Sequence, residues 1–520
     1  MSSSEAATAR SADLLDRAFT RAAGAALVKG NRVRLLRDAA ENYPAWLEAI
    51  AAARERIHIE NYIFCDDAVG AMFASALESK ARAGVRVRLI YDWLGSLGRA
   101  SAAYWRRLRA AGVDVRCFNA PQPITRPFGW LHRDHRKLVS VDGRVGFVTG
   151  LCIGRQWVGD EARGIAPWRD TGVEVRGPAL DDIERAFAQV WAATGAALPE
   201  EEQRGGAADD AAAGDVAVRI VANAPGTASV FRLEQLIAAA ARRSLWITDA
   251  YFAGIPPYVQ ALRAAAQDGV DVRLLVPGAS DVPGLRALSR AGYRALLEGG
   301  VRVFEWNGTM LHAKTAVTDG RWARVGSSNL NLASWVGNYE LDAVIEDEDF
   351  AAQMERMYEA DLALSTEIVL ERRERRRHLA LKRVAALRGG LAVRAQRRER
   401  TVRRRGTRGS ASRAAAGALR LGRAVGAALT DERTLARTEA RLVAVVGLAL
   451  LAVGGAVVVW PLAAAIPAAV ILLWLSLALF AKARALFIER RRKGLPATRV
   501  TGAAQLPAAS ITERDPGEPR

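Results

Sequence analysis

Two stretches of the chain, DHRKLVSVDG (134–143) and LHAKTAVTDG (311–320), set a Lys two residues after a His and an Asp five residues after that Lys. The matched residues are His135, Lys137 and Asp142 in the first and His312, Lys314 and Asp319 in the second, each pair 177 positions apart. Neutral imidazole is a nucleophile and a base, and charged imidazole is an acid, all near pH 7. Lysine adds a compact ammonium with three donors, which a planar guanidinium does not reproduce. Two such pairs bring a nucleophile or base, an acid and two compact cations into one chain. Only seven of the 74 Lys plus Arg are lysines, so lysine at both places is selective. With five His in the chain, a chance His-x-Lys is expected roughly 0.07 times.

The elements that carry these residues are legible around them. Apolar residues alternate up to Asp-Gly at 142–143 and 319–320, then resume in RVGFV and RWARV, which predicts two strands joined by a tight turn. Residues two apart on a strand share a face, so His135 projects with Lys137 and His312 with Lys314. Asp142 and Asp319 carry two readings, a turn former and a direct role at the site. The return strands end in TGLC (149–152) and GSSN (326–329), bringing small and polar groups back beside the His and Lys. Upstream, RIHIENYIF, GVRVRLIYD and AGVDVRCF of the first half answer to SLWITDAYF, GVDVRLLVP and GGVRVFEW of the second, with Ala/Leu/Arg-rich helical stretches between. Strands alternating with helices predict a duplicated α/β fold. The expected division is an extension (1–30), a first half (31–198), a Gly/Ala/acidic linker (199–215), a second half (216–365), an Arg-rich segment (366–440), an apolar hairpin (441–482) and a basic, then flexible, tail (483–520).

With the paired HxKxxxxD motifs, the GSSN after the second, and IHIENYIF, YDWLGS, PWRDTGVEVRGP and VGSSNLNLASWVGNYELD, residues 30–350 resemble the phospholipase D superfamily and, within it, the bacterial cardiolipin synthases. The resemblance implies two α/β/α sandwich halves related by a pseudo-two-fold axis. It implies a phosphatidyltransferase that joins two phosphatidylglycerols into cardiolipin and glycerol through a phosphohistidine, with His135 as nucleophile and His312 as acid and then base. The residues themselves leave the two roles interchangeable. It also implies that Ser327 and Asn329 bind phosphate and that Asp170 and Glu340 orient the histidines. The positions matching Ser327 and Asn329 in the first half are Gly150 and Cys152, where relatives carry Asn at the latter. Glu60 and Asp249 hold equivalent places on the first strand of each half and would line the cleft. His58, His132 and His378 lack a Lys two residues on and are given no role. A hydrolytic phospholipase D, a nuclease and a non-catalytic scaffold are the alternatives.

Composition sets the surroundings. Three cysteines argue against a disulfide framework, and no Cys/His cluster has zinc-ligand spacing, so no metal or cofactor is expected. Residues 371–440 carry 21 Lys plus Arg against 6 Asp plus Glu, which accounts for most of the net charge of +18. Beyond them, 442–481 has no charge, is divided by Trp460 and Pro461, and is flanked by basic residues. That pattern predicts a transmembrane hairpin with both ends cytoplasmic. The expected partners are anionic phospholipids and the membrane, with the Arg-rich segment on anionic lipid rather than nucleic acid. The expected place is the bacterial inner membrane, catalytic region toward the cytoplasm.

Overall fold

The protein is described from a computed structural model at residues 15–120, 132–203, 213–282 and 285–369. The Arg-rich segment and apolar hairpin expected from the sequence lie outside these residues. Among the described residues, no helix is long and apolar enough to cross a membrane.

A helix α1 over 15–23 precedes the first half. That half runs β1 (Val28–Arg37), α2 (Asp38–Ala52), β2 (Arg56–Asn61), α3 (Ala68–Arg82), β3 (Arg86–Asp92), the single turn α4 (Trp93–Ser96), α5 (Ala102–Ala110), β4 (Asp114–Phe118), β5 (Lys137–Val141), β6 (Val145–Thr149), β7 (Thr171–Arg176) and α6 (Leu180–Ala193). The second half runs β8 (Val216–Asn223), α7 (Ser229–Ala240), β9 (Ser244–Thr248), α8 (Pro256–Gln267), β10 (Asp271–Pro277), α9 (Leu285–Gly299), β11 (Arg302–Trp306), β12 (Thr315–Thr318), β13 (Trp322–Gly326), β14 (Glu340–Glu346), α10 (Glu348–Ala363) and β15 (Ser365–Ile368).

The strands form one sheet in the order β4-β3-β2-β5-β6-β7-β1-β8-β14-β13-β12-β9-β10-β11-β15. Its two flanks repeat each other outward from the β1–β8 seam, which is the duplication seen in three dimensions. One apolar core lies under α2, α3 and α5, and a second under α7 and α8. A third is shared, built from Leu138, Val173 and Phe187 of the first half with Ile220, Val325 and Phe350 of the second. Because that core is common property, the halves are held as one body. All five residues of β5 and all four of β12 are buried, as strands covered on both faces must be.

The boundaries differ slightly from the reading of the sequence. β1 starts at Val28, and the preceding helix adds Phe19 and Ala23 to the second half's core. Arg219 of β8 anchors that helix through Asp16 at 2.7 Å. The linker opens with a helical turn whose Glu202 is buried against Arg86 at 2.8 Å.

Both predicted hairpins form. Asp142 and Gly143 take φ of 54° and 63°, Asp319 and Gly320 take 57° and 65°, and the amides of Arg144 and Arg321 close the turns on Val141 and Thr318. The Asp142 carboxylate accepts the amides of Arg54, Glu55 and Arg56 at 2.8 to 2.9 Å, clipping the turn to the start of β2. Asp319 does the same for Arg242, Arg243 and Ser244. These carboxylates sit at the strand ends opposite the His and Lys, so of their two readings the structure supports the turn. We expect Asp142→Ala to cost about 2 kcal/mol of stability by stranding three donors. Chemical denaturation would measure that loss, with turnover per folded molecule kept within about threefold.

Candidate active site

His135 lies two residues before β5 and His312 three residues before β12, so both occupy the open ends of the hairpins. Two backbone crossings join these ends. The His135 amide donates to the Tyr339 carbonyl at 2.9 Å, and the Tyr339 amide donates to Arg133 at 2.9 Å. In the matching place the His312 amide donates to Arg169 at 2.7 Å, and the Arg169 amide donates to Met310 at 2.9 Å. Each His-bearing stretch is thus stitched to the segment that carries the other half's carboxylate.

The carboxylates complete the exchange. His135 Nδ1 lies 2.9 Å from Oε2 of Glu340, a residue of the second half, and His312 Nδ1 lies 2.7 Å from Oδ2 of Asp170, a residue of the first. Asp170 also accepts from Trp157 Nε1 at 3.0 Å and from the Thr171 amide at 2.9 Å. Glu340 accepts from Ser327 Oγ at 2.6 Å and from Asn338 Nδ2 at 3.2 Å. Ser327 therefore helps to orient Glu340, and the Leu341 amide fixes its hydroxyl at 2.9 Å. In the first half the equivalent Gly150 leaves room, since a Cβ there would fall 2.1 Å from Asp170 Oδ1. Asn329 is buried with its Oδ1 lacking a partner among the described residues, and Cys152 is buried opposite it in sequence register.

Lys137 and Lys314 are buried, and each donates to the carbonyl of the His two residues before it, Lys137 at 2.5 Å. That bond occupies one of three donors and leaves the rest for an anion. Aromatic rings wall the histidines. Tyr62 meets His135 edge-on at 4.8 Å and Tyr251 meets His312 at 5.7 Å. The two ammonium groups lie over these same tyrosine rings, at 5.3 and 5.7 Å from the centroids. Trp157 and Trp168 add two more rings against His312 alone. Sequence reading missed these rings and Asn338, although Tyr62 and Tyr251 stand two residues after Glu60 and Asp249 in both repeats and could have been found that way.

Burial and the nearby ammonium groups set the charges. Desolvation lowers His135, with Lys137 and Lys314 adding to it against the pull of Glu340. Desolvation and Lys314 push His312 down to about 4 despite Asp170. Burial opposes ionisation of Asp170 and Glu340, but their histidine partners and the lysines hold both below the usual carboxylate range. At rest each pair is a carboxylate accepting Nδ1–H from a neutral ring, which leaves Nε2 as the basic nitrogen. Both lysines act on both histidines, so the four groups lie within electrostatic reach of one another. Behind them, Glu60 and Asp249 are fully buried. Burial pushes Asp249 up to about 7 and, with Asp134 adding to it, raises Glu60 well above its usual range.

His58 and His132 lie elsewhere. His58 is buried on Glu184 at 2.6 Å, and His132 bonds the Gly337 carbonyl at 2.9 Å. Among the described residues, no group of three or more His, Cys, Asp or Glu is placed to hold a metal.

Similarities to known proteins converge on this region. Residues 46–160 and 233–362 match the family described as cardiolipin synthase, PLD-like domain. The chain is 37% identical over 355 residues to a cardiolipin synthase A of Pseudomonas aeruginosa, covering 67% of this chain and 70% of that one. It is 34% identical over 344 residues to a cardiolipin synthase of Alkalihalophilus pseudofirmus, covering 65% and 67%. In fold it is similar to the crystal structure of a phosphatidylserine synthase from Haemophilus influenzae, with a TM-score of 0.53 at 15% identity over 73% of this chain and 99% of that one.

Proposed function

The chain belongs to the cardiolipin synthases of the phospholipase D superfamily, and from that premise we propose that it joins two phosphatidylglycerols through a phosphatidyl-histidine. The observation that carries this is the reciprocal pairing of His135 with Glu340 and His312 with Asp170 around two buried lysines. Lys137 and Lys314 neutralise the non-bridging oxygens of the first phosphatidylglycerol. His135 Nε2 then bonds to phosphorus while the bond to the glycerol oxygen breaks, and His312 gives that oxygen its proton. Glycerol leaves. The headgroup hydroxyl of a second phosphatidylglycerol surrenders its proton to His312 Nε2, its oxygen bonds to phosphorus, and the bond to His135 breaks. Cardiolipin departs, and His312, protonated in this step, returns to the neutral ring of the free protein. Because His312 is neutral in the free protein, its first proton is taken up as the phosphate anion enters and offsets the field of the lysines.

A hydrolase would use the same residues with water as acceptor. Supplying purified protein with labelled phosphatidylglycerol separates the two. Cardiolipin and glycerol are the expected products, and phosphatidic acid as the main product would refute the transferase. We further propose that the Arg-rich segment and apolar hairpin hold the catalytic body on the cytoplasmic face of the inner membrane, beside anionic substrate. Protease access to residues 371–440 in oriented inner-membrane vesicles tests this; finding them on the opposite face would end it.

The lysines give the reaction a pH dependence. Burial and the Lys137 ammonium push Lys314 down to about 8, against Asp170 and Asp249. Below that value Lys314 is charged and can hold phosphate; above it the charge is lost. Proton uptake at His312 already lowers kcat/KM, which reports the free enzyme, as pH rises, and we expect a further, steeper limb through about 8 as Lys314 loses its charge. Lys314→Arg should remove this limb, since guanidinium stays charged, yet lower turnover about 100-fold because the planar head does not fit. A limb unchanged in Lys314→Arg would assign it to another group.

A further inference from the structure

A second feature of the first half has no part in this chemistry. Beside the C-terminal half of α2 a cavity of about 810 Å³ opens between that helix, β1, β7 and the β5–β6 turn. Five arginines line it, Arg32, Arg34, Arg54, Arg144 and Arg176, against three carboxylates, Glu48, Asp142 and Glu174. Glu174 is already occupied, accepting from Arg34 Nε at 3.1 Å and from Arg176 Nε at 2.8 Å. Asp142, on the same wall, is spent on three backbone amides. Arg32, Arg54 and Arg144 have no side-chain partner among the described residues.

All three are exposed to solvent and gather at the cavity mouth with little counter-charge. Arg32 stands directly opposite Arg176 in the β1–β7 register, and like charges opposite each other destabilise a sheet. Glu48 offers one exposed carboxylate, and the end of α2 adds a partial negative charge worth at most about half an elementary charge. Neither matches three unpaired guanidinium groups. The remaining wall, with Ala45, Ala49 and Ala52 of α2 facing Val33, Val141, Val145 and Phe147, is apolar and suits a short carbon skeleton beside the anion. The volume is that of a small-ligand pocket.

We propose that this cavity is a second phosphate site, holding a phosphate monoester or diester on Arg32, Arg54 and Arg144 with its glycerol-sized remainder against the alanines of α2. Guanidinium forks match phosphate oxygens in pairs. The site lies at the far end of β5 from Lys137, about 16 Å away along a five-residue strand, so its occupant does not touch the reacting atoms. Occupancy is therefore independent of turnover.

The test uses the full chain in detergent with Lys314→Ala, which weakens the catalytic phosphate grip. Two probes are titrated calorimetrically, sn-glycerol 3-phosphate and monomeric short-chain phosphatidylglycerol. The expected result is binding that weakens at least about tenfold when Arg32, Arg54 and Arg144 are all changed to Ala. The same triple change, made with Lys314 intact, should leave turnover within about twofold. Tighter binding of the short-chain lipid would identify the source as a lipid headgroup, and tighter binding of glycerol phosphate would identify a free phosphate. Equal binding of both probes before and after the triple change would overturn the proposal. A triple Arg→Lys variant, which keeps the charge, checks that any loss is not misfolding: it should retain part of the affinity, and complete loss there with a lowered melting temperature would also count against the site.

Discussion

His135→Ala and His312→Ala are each expected to lower cardiolipin formation by at least about 10³-fold, because groups that act as one unit lose nearly everything when either is removed. The two variants should fail differently. With His135 gone, no covalent intermediate can form, whatever the leaving group. With His312 gone, the nucleophile and its Glu340 partner at 2.9 Å remain, and only the proton for the leaving oxygen is missing. A phosphodiester with an acidic phenol as leaving group needs no such proton. Mixing it with His312→Ala should release one equivalent of phenol in a burst and leave an acid-labile phosphatidyl group on His135. The reverse pattern, a burst from His135→Ala and none from His312→Ala, would exchange the roles of the two rings. Near-normal turnover in either variant would end the two-histidine mechanism.

Glu340→Gln and Asp170→Asn are expected to cost about 10²- to 10⁴-fold in kcat, the range seen when an amide replaces the carboxylate behind a catalytic imidazole. The amide keeps the shape but cannot stabilise the imidazolium, and it can offer N–H where the ring needs an acceptor. Trp157 and the Thr171 amide still hold the side chain at position 170, and Ser327 and Asn338 that at 340, so folding should survive. The informative readout is the crossing. Glu340→Gln, though in the second half, should impair formation of the intermediate on His135 of the first. Asp170→Asn should spare that step for a phenol leaving group and slow transfer to the acceptor, which relies on His312. If each carboxylate variant instead impaired the histidine of its own half, the cross-half pairing would not be the working arrangement. Rapid-quench measurement of burst and steady-state phases separates these outcomes.

Much of this was legible in the chain because it is written in short spacings. A His and a Lys two apart on an alternating stretch must share a strand face, and Asp-Gly after four or five such residues must turn, so both hairpins with their His/Lys ends follow from local geometry alone. The constant offset of 177 made the duplication visible, and the strand–helix alternation gave the α/β class. Local geometry also left Asp142 and Asp319 with two readings. The structure places them at the turn because strand period and length carry residue 142 to the opposite end of β5 from Lys137. What no local pattern contains is the partner across a long separation. His135 and Glu340 are 205 positions apart, and His312 and Asp170 are 142 apart. Those pairs arise only when the shared core buries Leu138 and Phe187 with Ile220 and Val325, bringing the two hairpin ends together and letting the backbone crossings at Tyr339 and Arg169 set the register. The same packing sets the Ser327 hydroxyl on Glu340, a contact that no local spacing contains, and it sets the charge of the site. The chain fixes which groups are present, but whether an imidazole is neutral or a lysine is pushed down to about 8 depends on how much water the closed interface excludes and how near the like charges are forced, which are properties of the assembled pocket and not of any stretch of residues.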